Sequence, residues 1–205
     1  MRDADIEKPA DPRIARSRQV ILRAALEELG EAGYGAFTIE SVAARAGVGK
    51  STIYRHWPDK LALVSDAFKT LHEVAAPDLV TGSPRERLKR ILQHVAETVV
   101  SSTFSACIPA LIDAAERDRD LRKFHHQFQR QARKPLIRLI SDGVAAGEFA
   151  SVDPELAALA LLGVIFFRRL MTNAPFDPRR IDDLIDAVLP AASRNARLLL
   201  AARQP

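Results

Sequence analysis

A chain of 205 residues, 47% apolar and 27% charged, has the balance of a globular protein and room for one large helical domain or a small module beside a larger one. Its 30 Lys and Arg against 26 Asp and Glu leave a formal charge of +4, which permits an anionic partner without demanding one. The lone Cys107 excludes an intramolecular disulfide and an all-cysteine metal site. No apolar run suggests a membrane span or a signal peptide, so a cytoplasmic protein is expected.

Residues 1–12 mix acids and bases without a hydrophobic stripe and read as a disordered leader. From 14 to 32, Ile21, Ala24, Ala25 and Leu29 recur at helical spacing, with Gly30 and Gly33 as stop signals. Thr38 then caps a short helix carrying Ile39, Val42, Ala43 and Ala46 on one face, and Gly47 supplies its left-handed end. A second short helix is expected at about 50–56. Pro58-Asp59-Lys60 opens a longer one striped by Leu61, Val64, Phe68 and Leu71.

The breaker-rich stretch 77–83 makes the best domain boundary. Beyond it, Ser83-Pro84, Asp153-Pro154 and Asp177-Pro178 each place a capping side chain before a first-turn proline. Apolar periodic runs follow each of them. The long helical pattern between, from Leu121 to Phe149, contains Pro135, which predicts a kink. Strand-like alternation is absent, so the fold class is all-α with about nine helices. The expected division is a module over 13–60, a connecting helix over 61–76 and a larger helical domain over 83–205.

The functional question is posed by Ala44 to Ser51, "ARAGVGKS", which satisfies a loose phosphate-loop pattern. A nucleotide-binding P-loop needs a strand entering it and a substantial helix leaving it, so that backbone N–H groups face the phosphates. Here a capped amphipathic helix enters, and the next helix breaks at Trp57-Pro58. Two short helices joined by a tight turn at Gly47 make instead a helix-turn-helix, whose second helix enters the DNA major groove. Lys50, Ser51, Thr52, Arg55 and His56 then project outward, Val48 pins the turn, and Trp57 packs the module against the fourth helix.

The stretch "TIESVAARAGVGKSTIYRHWPDKLALV" resembles the DNA-binding region of the TetR family of bacterial regulators, a likeness running from Ile21 to about Val64. "DGVAAGEFASVDPELAALALLGVIFFRRL" resembles one class of that family's ligand-binding domains. The resemblance implies that Thr38, Tyr54 and Lys60 touch phosphates, while Lys50, Ser51, Thr52 and Arg55 lie nearest to bases, with Gly49 and His56 in the same contacting stretch. This chain has Gly49 and Ser51 where the family commonly has Ser and Gly, which removes a side-chain cap at 49. Arg13, Arg16 and Arg18 read equally as an arm reaching a neighbouring groove or as surface charges.

In the C-terminal domain, Phe104, Ile108, Leu111, Phe124, Phe128, Phe166, Phe167 and Met171 are candidates to line an effector pocket, although ordinary core accounts for most such residues. His125 and His126 are adjacent and lack a partner at i+4, so no metal site is expected. No grouping for hydrolytic catalysis stands out, and no cofactor is expected. The resemblance makes the last two helices, roughly 154–171 and 178–189, a homodimer interface. It implies a repressor that a small, largely hydrophobic effector releases from operator DNA. The alternatives are a helix-turn-helix regulator without an effector and, more remotely, a P-loop enzyme.

Overall fold

The computed structural model describes residues 12–73, 80–101, 103–172 and 174–192, with side chains described except at 12–13, 71–73, 101 and 103–104. Residues 1–11 of the expected leader, 77–79 of the expected 77–83 boundary and the tail beyond Ala192 lie outside them, and Pro12 already belongs to the first helix. Among the described residues there are nine α-helices and no strand. None of the helices is by itself long and apolar enough to cross a membrane. The chain divides into two compact units, Met1–Leu71 and His72–Pro205.

The first unit holds α1 (Pro12–Ala36), α2 (Ile39–Ala46), α3 (Lys50–Tyr54) and most of α4 (Lys60–Glu73). Ile21, Leu22 and Leu29 of α1 are buried with Phe37, Val42 of α2, Ile53 of α3, and Leu63, Val64 and Phe68 of α4. The predicted stops behave differently. The helix passes Gly30 and breaks at Gly33, whose φ of 72° and ψ of 165° are non-helical, because a positive φ is cheap only for glycine. Asp59 opens α4 by accepting the Ala62 N–H at 2.8 Å.

The second unit contains α5 (Pro84–Ser101), α6 (Thr103–Arg117), α7 (Arg119–Ala145), α8 (Pro154–Met171) and, after a 3₁₀ turn at Pro178–Arg180, α9 (Ile181–Val188). The expected caps form. Ser83 and Glu86 exchange hydrogen bonds in a capping box, Asp153 accepts from Glu155 and Leu156, and Asp177 from Arg179. Leu88, Leu92, Ile140, Leu161 and Ile185 form the centre of the core. Helical structure runs from Arg119 to Ala145 without ending at Pro135.

Pro109 lies unannounced inside α6. It has no N–H for the carbonyl of Ser105, four residues earlier. The Arg169 guanidinium of α8 donates to that carbonyl at 3.1 Å and to the Ser105 hydroxyl at 2.7 Å. The interior proline is thus tolerated because a neighbouring helix satisfies the acceptor it orphans.

The turn after α7 returns Phe149 against Gly143. A Cβ at position 143 would fall 2.3 Å from the Phe149 ring, which is itself buried. Gly143→Ala should therefore destabilise this unit by about 1–3 kcal/mol through overpacking. A thermal melt unchanged by the substitution would show that the ring can shift freely.

Candidate nucleic-acid interface

The helix-turn-helix is built from its caps. Thr38 has extended backbone (φ −132°, ψ 155°) and its hydroxyl accepts the Ser41 N–H at 3.0 Å. The Ser41 hydroxyl lies 3.0 Å from the Thr38 hydroxyl and donates to the Thr38 carbonyl at 2.9 Å. Ser41 was not singled out in the sequence; the Thr-x-x-Ser spacing was the signal for it. Behind α2, Arg45 reaches Glu28 at 2.9 Å and Glu31 at 2.6 Å, which ties the helix to α1.

At the elbow Gly47 takes φ 66° and ψ 33°, and the Val48 N–H reaches back to the Ala43 carbonyl at 3.0 Å. This left-handed closure satisfies the last carbonyls of α2 and turns the chain into α3. Val48 is half-buried there. Gly49 precedes α3 without a side-chain cap, as the departure at that position predicts. A helix, not a strand, enters this turn, and only five residues of helix leave it. That geometry does not build a phosphate-cradling loop.

The α-helix ends at Tyr54, two residues short of expectation. Helical-type bonds nevertheless continue, with Trp57 N–H donating to the Ile53 carbonyl at 2.9 Å. The buried members are Ile53 and Trp57, the latter 3% exposed with its indole N–H on Asp66 at 2.9 Å. Lys50, Ser51, Tyr54, Arg55 and His56 are exposed, and Thr52 is half-buried. Ammonium, guanidinium, imidazole and hydroxyl groups are thus gathered on one short, outward rod. These are the groups that hydrogen-bond to phosphates and base edges.

Two cations are not idle. Lys50 donates to Glu40 at 2.9 Å. That bond, with the charge behind it, raises Lys50 above the ordinary lysine range, and the same bond lowers Glu40 below the usual carboxylate range. Both ends are more than half exposed, so the pair is readily exchanged for another partner. Lys60 lies over the Tyr34 ring, 4.1 Å from its centre, and within 3.4 Å of the Tyr34 carbonyl. Of the three N-terminal arginines, Arg18 is turned inward, paired with Asp66 and stacked 5.8 Å over Trp57. Arg16 is exposed, and the Arg13 side chain lies outside the described ones.

In the second unit a recess of about 250 Å³ opens between α6, α7 and α8, and Ile108, Leu111, Phe128 and Phe166 are on its walls. Phe124 is not on them; it packs against Phe128 with ring centres 5.8 Å apart. Phe167 and Met171 are 61% and 71% exposed and face away from it. The Phe104 side chain lies outside the described ones. Sequence reasoning missed a polar wall of His125, Gln129 and Arg133. Their i, i+4, i+8 spacing puts them on one face of α7, beside Phe128, and that was the available signal. Among the described residues no group of His, Cys, Asp or Glu is arranged to hold a metal ion.

Residues 21–67 match the family of bacterial regulatory proteins designated tetR, and residues 76–188 match the tetracyclin repressor-like C-terminal domain. The HTH-type transcriptional regulator Rv1556 of Mycobacterium tuberculosis is 33% identical over 196 residues, spanning 92% of this chain and 95% of its own length. A Mycobacteroides abscessus protein, the DNA-binding transcriptional repressor TetR, is 31% identical over 176 residues, 82% of this chain and 90% of its own. Among solved structures, FadR from Bacillus subtilis in complex with stearoyl-CoA superposes with a TM-score of 0.68 at 18% identity, over 85% of this chain and 99% of that one. The chain belongs to the TetR family of bacterial transcriptional regulators, with a helix-turn-helix DNA-binding domain followed by the family's C-terminal domain.

Proposed function

We propose that this regulator is a homodimeric repressor of the cytoplasm, not an enzyme, that leaves its operator when a small, largely hydrophobic effector occupies the recess between α6, α7 and α8. The observation that carries the reading is α3. It buries only Ile53 and presents Lys50, Ser51 and Tyr54 outward, with Arg55 exposed just beyond its end, a division with no purpose inside the fold. Lys50, Ser51, Thr52 and Arg55 read base edges, and Thr38, Tyr54 and Lys60 hold phosphates, with Gly49 and His56 flanking them. The repressor sense is supported by the Mycobacteroides abscessus relative. Effector binding lowers operator affinity by the ligand's differential affinity for the two states of the dimer.

The two classes of contact respond differently to truncation. Lys50→Ala should weaken operator binding on the order of 10- to 100-fold and relax preference at one base position. Lys60→Ala should weaken all duplexes about equally and reduce the salt slope by about 1. Fluorescence anisotropy with operator and random duplexes at several salt concentrations separates them. Nucleotide binding lost in Lys50→Ala, with DNA binding untouched, would return the P-loop reading. Hydrophobic compounds that leave operator binding and melting temperature unchanged would favour a regulator controlled without an effector.

A further inference from the structure

The recess is apolar on three sides and cationic on the fourth. Arg133 supplies the charge, and its side chain is only 17% exposed. Its Nε is buried without a hydrogen-bond partner, and its nearest acid, Glu155, stands 4.0 Å from Nη2. A buried guanidinium N–H without an acceptor beside an apolar cavity is costly and ready to donate to a polar group of a ligand. His125, on the same wall, is held below its ordinary pKa chiefly by burial and further by His126, against an opposing pull from Glu116. Near neutral pH it therefore adds hydrogen-bonding capacity and little charge.

The same wall has a second side. His125, Gln129 and Arg133 also line a groove of about 800 Å³ that continues along α7 past Arg119, Arg122 and Arg130. Between residues 119 and 134, α7 carries Arg119, Arg122, Lys123, Arg130, Arg133 and Lys134 against the single acid Asp120. Lys123 is taken by Asp120 at 2.8 Å, and Arg122 by the carbonyls of Ala115 and Glu116 at 2.9 and 2.5 Å. Arg119 and Arg130 face the groove with no such anchor among the described hydrogen bonds and ion pairs. The apolar recess and the basic groove therefore meet at Arg133.

We propose that the effector is an amphiphilic polyanion, an acyl or aryl thioester of a phosphorylated nucleotide carrier, with its apolar body in the recess, its polar junction on Arg133 and its phosphates along the groove. This deepens the effector reading above and rests on it. An engineered apolar cavity of about 150 Å³ accepts benzene, so 250 Å³ suits a body of medium length rather than a long chain. A purely hydrophobic effector would leave the Arg133 Nε–H without an acceptor. A simple fatty carboxylate would satisfy Arg133 and leave the groove without a counter-charge.

The test is calorimetry on the full chain with octanoyl-CoA, sodium octanoate and free CoA. Octanoyl-CoA should bind at least tenfold more tightly than either fragment. Arg133→Gln should weaken it on the order of 10- to 100-fold, as expected for a lost hydrogen bond to a charged group. Arg130→Gln, an exposed change that spares folding, should weaken octanoyl-CoA several-fold and leave octanoate unchanged. Octanoate binding as tightly as octanoyl-CoA overturns the phosphorylated head. Failure of octanoyl-CoA to bind, or indifference to Arg130→Gln, overturns the proposal as a whole. Because binding is read without DNA, octanoyl-CoA that binds yet leaves operator occupancy unchanged supports the ligand class and overturns only the release mechanism.

Discussion

A chain carrying both Leu156→Asp and Phe167→Asp should sediment as a monomer and lose operator affinity by about 10²- to 10⁴-fold, the scale of avidity that a second linked recognition helix confers. The expectation comes from the two sides of α8. Ala157, Ala158, Leu161 and Ile165 are buried in the subunit, while Leu156, Leu159, Val164, Phe167 and Met171 stay exposed, Leu156 at 65%. Leu159 turns toward the recess, whereas Leu156, Val164, Phe167 and Met171 share one side of the helix and form an outer ridge. A helix needs one apolar stripe to join its own core, and a second stripe is unexplained until something covers it. A groove of about 290 Å³ lined by Val164, Arg168, Phe176, Asp183 and Ala187 extends the same face onto α9.

A second copy packed across a two-fold axis would bury the ridge against itself, the geometry of a four-helix bundle. Each large apolar side chain so covered contributes about 1.5–3 kcal/mol at full burial. Two aspartates on each subunit would instead put four like charges into that seam. The substituted positions are exposed in the single subunit, so its melting curve at low concentration should change little. A variant that still sediments as a dimer would place the interface elsewhere.

Much of this architecture was legible because it rests on local chemistry. Ser83, Asp153 and Asp177 cap helices where the following prolines said they would, and Gly47 adopts the left-handed turn that the helix-turn-helix requires. These are short-range constraints, written within four residues of where they act. What was not legible depends on distant partners. Pro109 reads as a helix breaker until Arg169, sixty residues on, is found satisfying the Ser105 carbonyl. Gly30 and Gly33 look alike as stop signals, and only the second breaks the helix.

The recess shows the same limit from the other direction. Hydrophobicity nominated Phe166 and Met171 equally, yet one lines the recess and the other faces away from it. Helical phase relative to the buried Leu161 and Ile165 makes that difference, and composition does not contain it. Arg133 belongs to a charge-rich run that reads as a solvated face. Its burial arises only when α8 packs against α7 and brings Glu155 near. Lys50 likewise looked like an unpaired cation, because Glu40 lies ten residues back and meets it only after the elbow has formed.

Trp57→Ala should destabilise the first unit by about 3–5 kcal/mol and abolish operator binding with it. The reason is that α3 cannot hold itself. Five residues are far below the length at which a helix is stable in water, so the orientation of Lys50 and Arg55 depends on the two anchors Ile53 and Trp57. Truncating the indole leaves a large cavity and removes the Nε1 donor from Asp66. Burial raises the Asp66 pKa, but the indole hydrogen bond and the Arg18 charge outweigh it, so the carboxyl is held below its usual value. Without the indole, Arg18 and Lys69 alone hold that charge.

Trp57→Phe separates the two contributions, since it keeps most of the apolar volume and loses chiefly the hydrogen bond to the charged Asp66, for about 1.5–3 kcal/mol. With a stability of about 5–15 kcal/mol for a typical domain, the alanine variant lies near the edge of folding and the phenylalanine variant does not. Trp57 is the single tryptophan of the chain, so its emission in the parent protein follows the melting of this unit directly. Hydrogen exchange at Val42 and Ile53 reads the same unit in both variants. Protection that survives Trp57→Ala unchanged would mean that α3 is held by Ile53 alone, and the recognition surface would then owe nothing to the indole.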